Sequence, residues 1–229
     1  SIVTQISTGT ELTILSGDFP EGSYWARYAN YPFYPGYSNI GKVIDTGKGV
    51  NNDLTGKIVA TETPHAGYVS CDYKRLRLIP ENLSPEKASF FTIAEIVMNG
   101  VRLAKIEPGE VVAVFGLGLL GQLTVQFCRF CGGWPVVGID PASFRRKLAL
   151  KSGAHYAFDP MDQNFTEKMK KISNGRMFDV VFEVTGNPNV IARQLEFLRE
   201  RGRQIILSSP RGTSTLDFHD LINTPSRVI

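Results

Sequence analysis

The chain has 229 residues and a mass of 25.3 kDa, with 42% hydrophobic and 21% charged residues. It is too apolar for intrinsic disorder and has too few cysteines for a secreted disulfide scaffold, so a folded globular protein is expected. The net charge of +3 is too small to indicate a nucleic-acid or membrane-surface partner. No long apolar run predicts a bilayer-spanning helix, and the first residues do not resemble a signal peptide. Three cysteines cannot all pair, which favours reduced thiols and a cytoplasmic location.

The first part of the chain, to about residue 85, has the pattern of short antiparallel strands. Brief apolar runs alternate with Gly, Pro and Asn turn signals, and they predict strands at 40–44, 57–61 and 68–71. A helix is predicted next, because Ser84 suits the N-cap, Pro85 the first helical position and Glu86 the positive end of the helix dipole. A mostly apolar helical stretch continues to about Leu103.

From residue 111 the pattern alternates strand and helix. Strands are predicted at 111–115, 136–139, 156–158, 178–184 and 204–207, and helices at 119–131, 142–151, 165–172 and 189–199. Repeated βαβ units with short connections predict an open, mostly parallel, doubly wound sheet of the α/β class. We therefore predict two domains, a β-rich domain over residues 1–92 and an α/β domain over residues 93–229.

A G-x-G-x-x-G motif lies between the first strand and helix of this α/β domain. Gly116 permits the tight turn, Gly118 lets the backbone approach a pyrophosphate, and Gly121 lets helix and strand pack closely. The N-terminus of the following helix presents N–H groups and positive potential to a diphosphate. The motif in this setting predicts a dinucleotide site.

The residues that follow bear on the choice of cofactor. Asp140 ends the next predicted strand, where a carboxylate can bind the adenosine ribose hydroxyls and would repel a 2′-phosphate. Asp140 therefore favours NAD. The basic cluster at 145–147 leaves NADP open, because it could neutralise that phosphate or simply form a solvated helix face.

Further segments carry a family pattern along nearly the whole chain, at 4–11, 31–38, 41–43, 64–69, 107–110, 183–186 and 202–205. With the glycine motif, they resemble the medium-chain dehydrogenase/reductase superfamily, in its zinc-type alcohol dehydrogenase group. The I-S-x-G-T-E turn at 6–11 most resembles the threonine- and bacteriochlorophyllide-dehydrogenase-like branch. The resemblance implies a GroES-like substrate domain, a Rossmann domain, an active site between them and a homodimer. Family chains are longer at both ends, so we expect a partial chain.

The resemblance also shows what is altered at the family's catalytic zinc site. The ligand positions read Ser7, Tyr37 and Phe91, of which Ser is a poor zinc ligand, Tyr an uncommon one and Phe no ligand at all. The four cysteines of the family's structural zinc lobe have no counterpart. Cys128 and Cys131 lie within a predicted helix, where packing is a better interpretation than a metal or redox motif. We therefore expect no zinc.

Four residues are candidates for the catalytic role. Tyr37 could donate a proton or hydrogen bond at the former metal position, or it could only fill that space. Glu95 lies in an otherwise apolar helix, so it is either functional or paired with a residue such as Arg102. Ser7 and Thr10 could bind the substrate or only order their turn.

The resemblance implies further contacts with the cofactor. It places Leu119 and Leu120 at the start of the glycine-loop helix, with Leu120 under the nicotinamide side, and Arg145 at the adenosine ribose. Thr185 and Ser208 would lie along the dinucleotide, at the ends of the fourth and fifth strands.

Three functions remain open from the sequence. The first is a zinc-independent, NAD(H)-linked oxidoreductase acting on a small alcohol, aldehyde or ketone, sugars included. The second is an NADPH-dependent quinone or enoyl reductase. The third is a dinucleotide-binding protein that has lost catalysis. All three predict a small-molecule ligand and no nucleic-acid or membrane partner.

Overall fold

The structure is a computed structural model that describes residues 1–217 and 227–228. The chain forms two compact units, Ser1–Glu95 and Ile96–Ile229, called here the first and second units. The division falls three residues after the predicted domain boundary and lies within a single helix. Within the described ranges, no helix is long and apolar enough to cross a bilayer.

The first unit is built on a four-stranded antiparallel sheet in the order β1-β2-β3-β4. Its strands are β1 (Val3–Thr4), β2 (Asn39–Lys42), β3 (Ile58–Thr61) and β4 (Arg77–Leu78), and its helices include α1 (Thr8–Ser16), α2 (Tyr24–Tyr28) and α3 (Pro85–Ala88). Ile40, Ala60 and Ala88 form the buried centre. This small core holds β2, β3 and α3 together.

The predictions for this unit are partly confirmed. Strands β2 and β3 lie where they were predicted, and the Ser84 hydroxyl accepts a hydrogen bond from the Lys87 N–H at the start of α3. The predicted strand at 68–71 is wrong, because this exposed segment forms turns and irregular structure. Aromatic and β-branched residues favour a strand only where a neighbouring strand pairs with them.

Helix α4 (Phe91–Ala104) leads into the second unit, which contains a six-stranded parallel sheet. The sheet order is β10-β9-β8-β5-β6-β7, with bounds β5 (Val112–Phe115), β6 (Val136–Ile139), β7 (Tyr156–Phe158), β8 (Phe178–Glu183), β9 (Leu198–Ile206) and β10 (Arg227–Val228). The helices are α5 (Leu119–Phe130), α6 (Ser143–Lys151), α7 (Phe165–Ile172) and α8 (Pro188–Gln194). The predicted doubly wound α/β sheet is confirmed.

Strands β5 and β8 are buried along their whole length, and apolar clusters cover both faces of the sheet. The helix predicted to reach residue 199 ends at Gln194 instead. A 3-10 turn then places Phe197 against Phe115 and Phe165, with ring centroids 5.7 and 5.3 Å apart. Packing of this aromatic side chain therefore ends the helix early, and β9 begins at Leu198.

Strand β5 lies between β6 and β8, and the chain proceeds from it first to one side of the sheet and later to the other. Its carboxyl end is therefore the point where the strand order reverses, and ligands of doubly wound sheets bind beside that point. The G-x-G-x-x-G segment follows β5 directly.

Candidate dinucleotide site and active-site residues

The three glycines of the loop after β5 have three different constraints. Gly116 has φ +92°, and a Cβ atom there would lie 2.8 Å from the Val184 carbonyl carbon. A Cβ at Gly121 would lie only 1.9 Å from the Gly116 carbonyl oxygen. Gly118 faces open space, with no atom within 4 Å of an added Cβ. Two glycines are thus needed for the loop to form, and the third leaves its outer surface free for a ligand.

Asp140 holds this loop in place. Its side chain is 2% exposed and accepts hydrogen bonds from the Leu117 N–H at 2.9 Å and the Ala142 N–H at 2.8 Å. The Arg145 guanidinium, 55% exposed, lies 3.4 Å from the same carboxylate. Asp140 therefore orders the loop and the start of α6, and its contact with a ribose stays a prediction.

Gln122 also secures the loop, and the sequence alone did not indicate it. Its side-chain amide donates to the Leu117 and Arg145 carbonyl oxygens, both at 3.0 Å. Glutamine in a helix is usually exposed to solvent, so the sequence does not indicate that Gln122 is buried. Leu119 and Leu120, at the start of α5, are half-buried.

The predicted contacts Thr185 and Ser208 meet at one buried carboxylate, that of Glu183. Their hydroxyls lie 2.8 and 3.0 Å from its Oε1 atom. Both residues follow the carboxyl ends of their strands, β8 and β9, on the same edge of the sheet as the glycine loop. The structure therefore brings these two predicted residues together, and it adds Glu183 as their common partner.

A cavity of about 480 Å³ lies at the opposite edge of the sheet, where β5, β6 and β7 begin. Trp134, His155 and Arg176 contribute to its lining. The His155 Nδ1 atom accepts the Val136 N–H at 2.8 Å, and the pKa of His155 is lowered by burial and by the nearby positive charge of Arg129. This cavity is on the wrong edge of the sheet to take the predicted dinucleotide.

In the first unit, the segments that carry the three family zinc-ligand positions converge near Ser38. The Gln5 N–H donates to the Ser38 carbonyl at 2.9 Å, and the Thr92 hydroxyl donates to the Tyr37 carbonyl at 3.1 Å. The Ser38 hydroxyl in turn donates to the Ser89 carbonyl at 2.5 Å. The structure therefore brings together the backbone near Ser7, Tyr37 and Phe91, and the role of these residues in an active site stays a prediction.

The side chains at these positions do not fit a zinc ion. They supply two hydroxyl groups and a phenyl ring, whereas zinc in proteins takes thiolate, imidazole and carboxylate ligands. Among the described residues, no three His, Cys, Asp or Glu side chains are grouped to hold a metal. Cys128 is buried, with its pKa raised well above the ordinary value by that burial, and Cys131 is exposed.

Ser7 and Thr10 lie together, next to an acid–imidazole pair that the sequence did not indicate. The Ser7 hydroxyl lies 3.4 Å from that of Thr10, and the Ser7 N–H donates to Glu11 Oε1 at 2.8 Å. The same oxygen lies 3.1 Å from His65 Nε2. The available signal for Glu11 was an acid in the first turn after Ser7, the N-cap residue of α1, but nothing local linked it to His65, 54 residues away.

Tyr37 is half-buried. Glu95 is exposed on α4, so its carboxylate can stay hydrated there without a partner or a functional role. Among the ion pairs of the described residues, none joins Glu95 to Arg102. The catalytic roles of Tyr37 and Glu95 stay predictions.

Comparison with known proteins agrees with this geometry. A family profile described as zinc-binding dehydrogenase matches residues 120–229. The L-threonine 3-dehydrogenase of Pyrococcus horikoshii is 27% identical over 247 residues, covering 93% of this chain and 69% of that protein. The D-guloside 3-dehydrogenase of Escherichia coli K12 is 28% identical over 188 residues, covering 81% of this chain and 52% of that protein.

A solved zinc-binding dehydrogenase from Sinorhizobium meliloti 1021, bound to NADP, has the same fold, with a TM-score of 0.82 at 23% identity. The match covers 96% of this chain and 72% of that one. The profile match and these relatives support the predicted resemblance to the medium-chain dehydrogenase/reductase superfamily. The predicted fold class, a Rossmann unit preceded by a partial GroES-like β-rich unit, is confirmed. The relatives are named dehydrogenases, which supports the prediction of an alcohol-dehydrogenase-like oxidoreductase.

Proposed function

We propose that this protein is an NAD(H)-dependent oxidoreductase of the medium-chain dehydrogenase/reductase superfamily. It would transfer a hydride between nicotinamide and a small alcohol or carbonyl substrate without zinc. The observation that carries the proposal is the glycine loop at the switch point of the sheet, whose outer surface at Gly118 is open. The nicotinamide supplies the hydride chemistry when bound, and the protein supplies orientation and proton management.

Charge at the loop supports NAD. Helix α5 begins at Leu119, so its N-terminal N–H groups and positive dipole end lie beside Gly118 and favour a diphosphate. Asp140 places a carboxylate beneath the loop, where a 2′-phosphate would meet like charge. The half-exposed guanidinium of Arg145 is the feature that favours NADP instead, and it motivates the NADPH-dependent reductase as the second candidate function.

The remodelled side chains of the first unit support zinc independence. Because hydroxyl and phenyl groups occupy the ligand positions, side chains of the protein have to transfer the proton to and from the substrate oxygen. Tyr37 is proposed as the donor to the substrate oxygen, with the Ser7 and Thr10 hydroxyls as hydrogen-bonding groups for the substrate. The Glu11–His65 pair fixes the turn that carries Ser7 and Thr10.

The proposal is tested by measuring turnover and zinc content on the same purified protein. NADH formation is followed with a panel of secondary alcohols and polyols, before and after treatment with a chelator. We expect turnover at substoichiometric zinc, unchanged by chelation and strongly reduced in Tyr37→Phe. One zinc per chain whose removal abolishes turnover would contradict zinc independence. NADH binding with no turnover on any substrate would instead favour the third function, a dinucleotide-binding protein that has lost catalysis. The homodimer and the cytoplasmic location stay predictions.

A further inference from the structure

Glu183 is a fully buried carboxylate at the carboxyl end of β8, with 0% of its surface exposed. Its Oε1 atom accepts hydrogen bonds from the Gly186 N–H at 2.7 Å and from the Thr185 N–H at 2.8 Å. Its Oε2 atom accepts the side-chain amide of Gln194 at 2.5 Å. The Thr185 hydroxyl reaches both oxygens, at 2.8 and 3.1 Å, and the Ser208 hydroxyl reaches Oε1 at 3.0 Å.

This arrangement fixes the direction of two hydroxyl groups. A carboxylate can only accept hydrogen bonds, so the Thr185 and Ser208 hydroxyls must donate their protons to Glu183. The Thr185 oxygen also accepts the Asn187 N–H at 3.0 Å. What these hydroxyls can offer to a ligand is therefore a lone pair, and the ligand group that meets them must be a hydrogen-bond donor.

The sheet order indicates which half of a dinucleotide meets them. Asp140 follows β6 on one side of β5, whereas Thr185 and Ser208 follow β8 and β9 on the other side. In a doubly wound sheet the dinucleotide lies across the carboxyl edge, with its pyrophosphate at the glycine loop and its adenosine ribose at the acidic residue. The nicotinamide half then lies over β8 and β9.

We propose that Glu183 is a positioning residue that holds the Thr185 and Ser208 hydroxyls as acceptors for donors on the nicotinamide half of the cofactor. The inference rests on the dinucleotide binding proposed above. A change at Glu183 should therefore weaken binding of the nicotinamide half alone. A residue with a merely structural role would, when changed, weaken binding of both halves alike.

The test compares NADH with ADP, which contains only the adenosine diphosphate half. In Glu183→Gln the side-chain volume is kept, but one oxygen becomes an NH₂ group. Because the Thr185 hydroxyl contacts both carboxylate oxygens, this group faces that hydroxyl in either orientation. We expect calorimetry to show NADH affinity about tenfold lower and ADP affinity within about twofold of wild type. Ser208→Ala removes one acceptor and leaves Glu183 in place. It should also lower the affinity for NADH and not for ADP, by a smaller factor than Glu183→Gln.

Asp179→Asn is the matched control, because Asp179 is a second buried carboxylate on β8, near its other end, that accepts the Val111 N–H at 2.7 Å. It should lower the melting temperature without changing the NADH-to-ADP affinity ratio. Equal losses of NADH and ADP affinity in the Glu183 and Ser208 variants would overturn the inference, as would NADH affinity that both variants leave unchanged. If wild-type protein bound ADP but not NADH, the inference would fail, and binding of neither would remove the proposed function itself.

Discussion

Replacing Gly118 with alanine should weaken cofactor binding at least tenfold while leaving the fold intact. The added methyl group meets no atom within 4 Å, and Gly118 has φ −71°, which alanine adopts freely. Alanine is a poorer N-cap than glycine, which lowers the stability by about 0.5–1 kcal/mol. Alanine also lowers the conformational entropy of the unfolded chain, which raises the stability by about 0.4–1 kcal/mol. The free energy of unfolding should therefore change by less than about 1 kcal/mol.

Binding should respond differently, because the methyl group stands where the pyrophosphate must approach the backbone. We expect NADH affinity to fall at least tenfold, which corresponds to about 1.4 kcal/mol. Gly121→Ala is the contrasting variant, since its Cβ would lie 1.9 Å from the Gly116 carbonyl oxygen. It should cost about 3 kcal/mol or more of unfolding free energy.

Urea unfolding and NADH titration by tryptophan fluorescence measure the two effects separately. A Gly118→Ala protein that bound NADH as tightly as wild type would refute the placement of the pyrophosphate on this loop. Strong destabilisation by this variant would refute the assignment of open space above Gly118.

Three further results are expected. His155, whose pKa is lowered by burial and by a nearby arginine, binds protons more tightly when unfolded, so stability should fall as the pH drops below about 6.5. The urea midpoint should fall less steeply with decreasing pH in His155→Gln than in the wild type. An equally steep fall in this variant would show that His155 is not the cause. Alkylation of native protein should modify the exposed Cys71 and Cys131 and reach Cys128 only in denaturant, as mass spectrometry would show; early labelling of Cys128 would contradict its burial. Gly36→Ala should lower the free energy of unfolding by about 2 kcal/mol, because Gly36 has φ +100° and its Cβ would lie 2.6 Å from the His65 backbone nitrogen. Gly67→Ala, with open space around it, should be close to neutral in the same unfolding assay.

The second unit was largely predictable because its strands are buried on both faces. Such strands appear in the sequence as continuous apolar runs, and glycine and proline mark their ends. Strand β7 and helix α7 have the predicted bounds. The first unit was harder to predict, since its strands are two to four residues long and gain their stability from pairing with one another. Helix α1 was missed because its threonines and glycine are poor helix formers.

The candidate site was predictable where a local pattern carries the chemistry, as in the glycine loop. It was not predictable where distant residues share a partner. Glu183 ends an apolar run, and nothing next to it indicates that Gln194 and Ser208, 11 and 25 residues away, donate to it. Asp140 shows a related limit. The sequence indicates a carboxylate at the ribose position, but only the structure shows that it is already bound to the loop backbone.

The most direct measurement is a calorimetric titration of chelator-treated protein with NADH and with NADPH. We predict one site per chain that binds NADH more tightly than NADPH, with Asp140→Asn reducing that preference. Absence of NADH binding would contradict the dinucleotide site, and tighter binding of NADPH would contradict the choice of NAD.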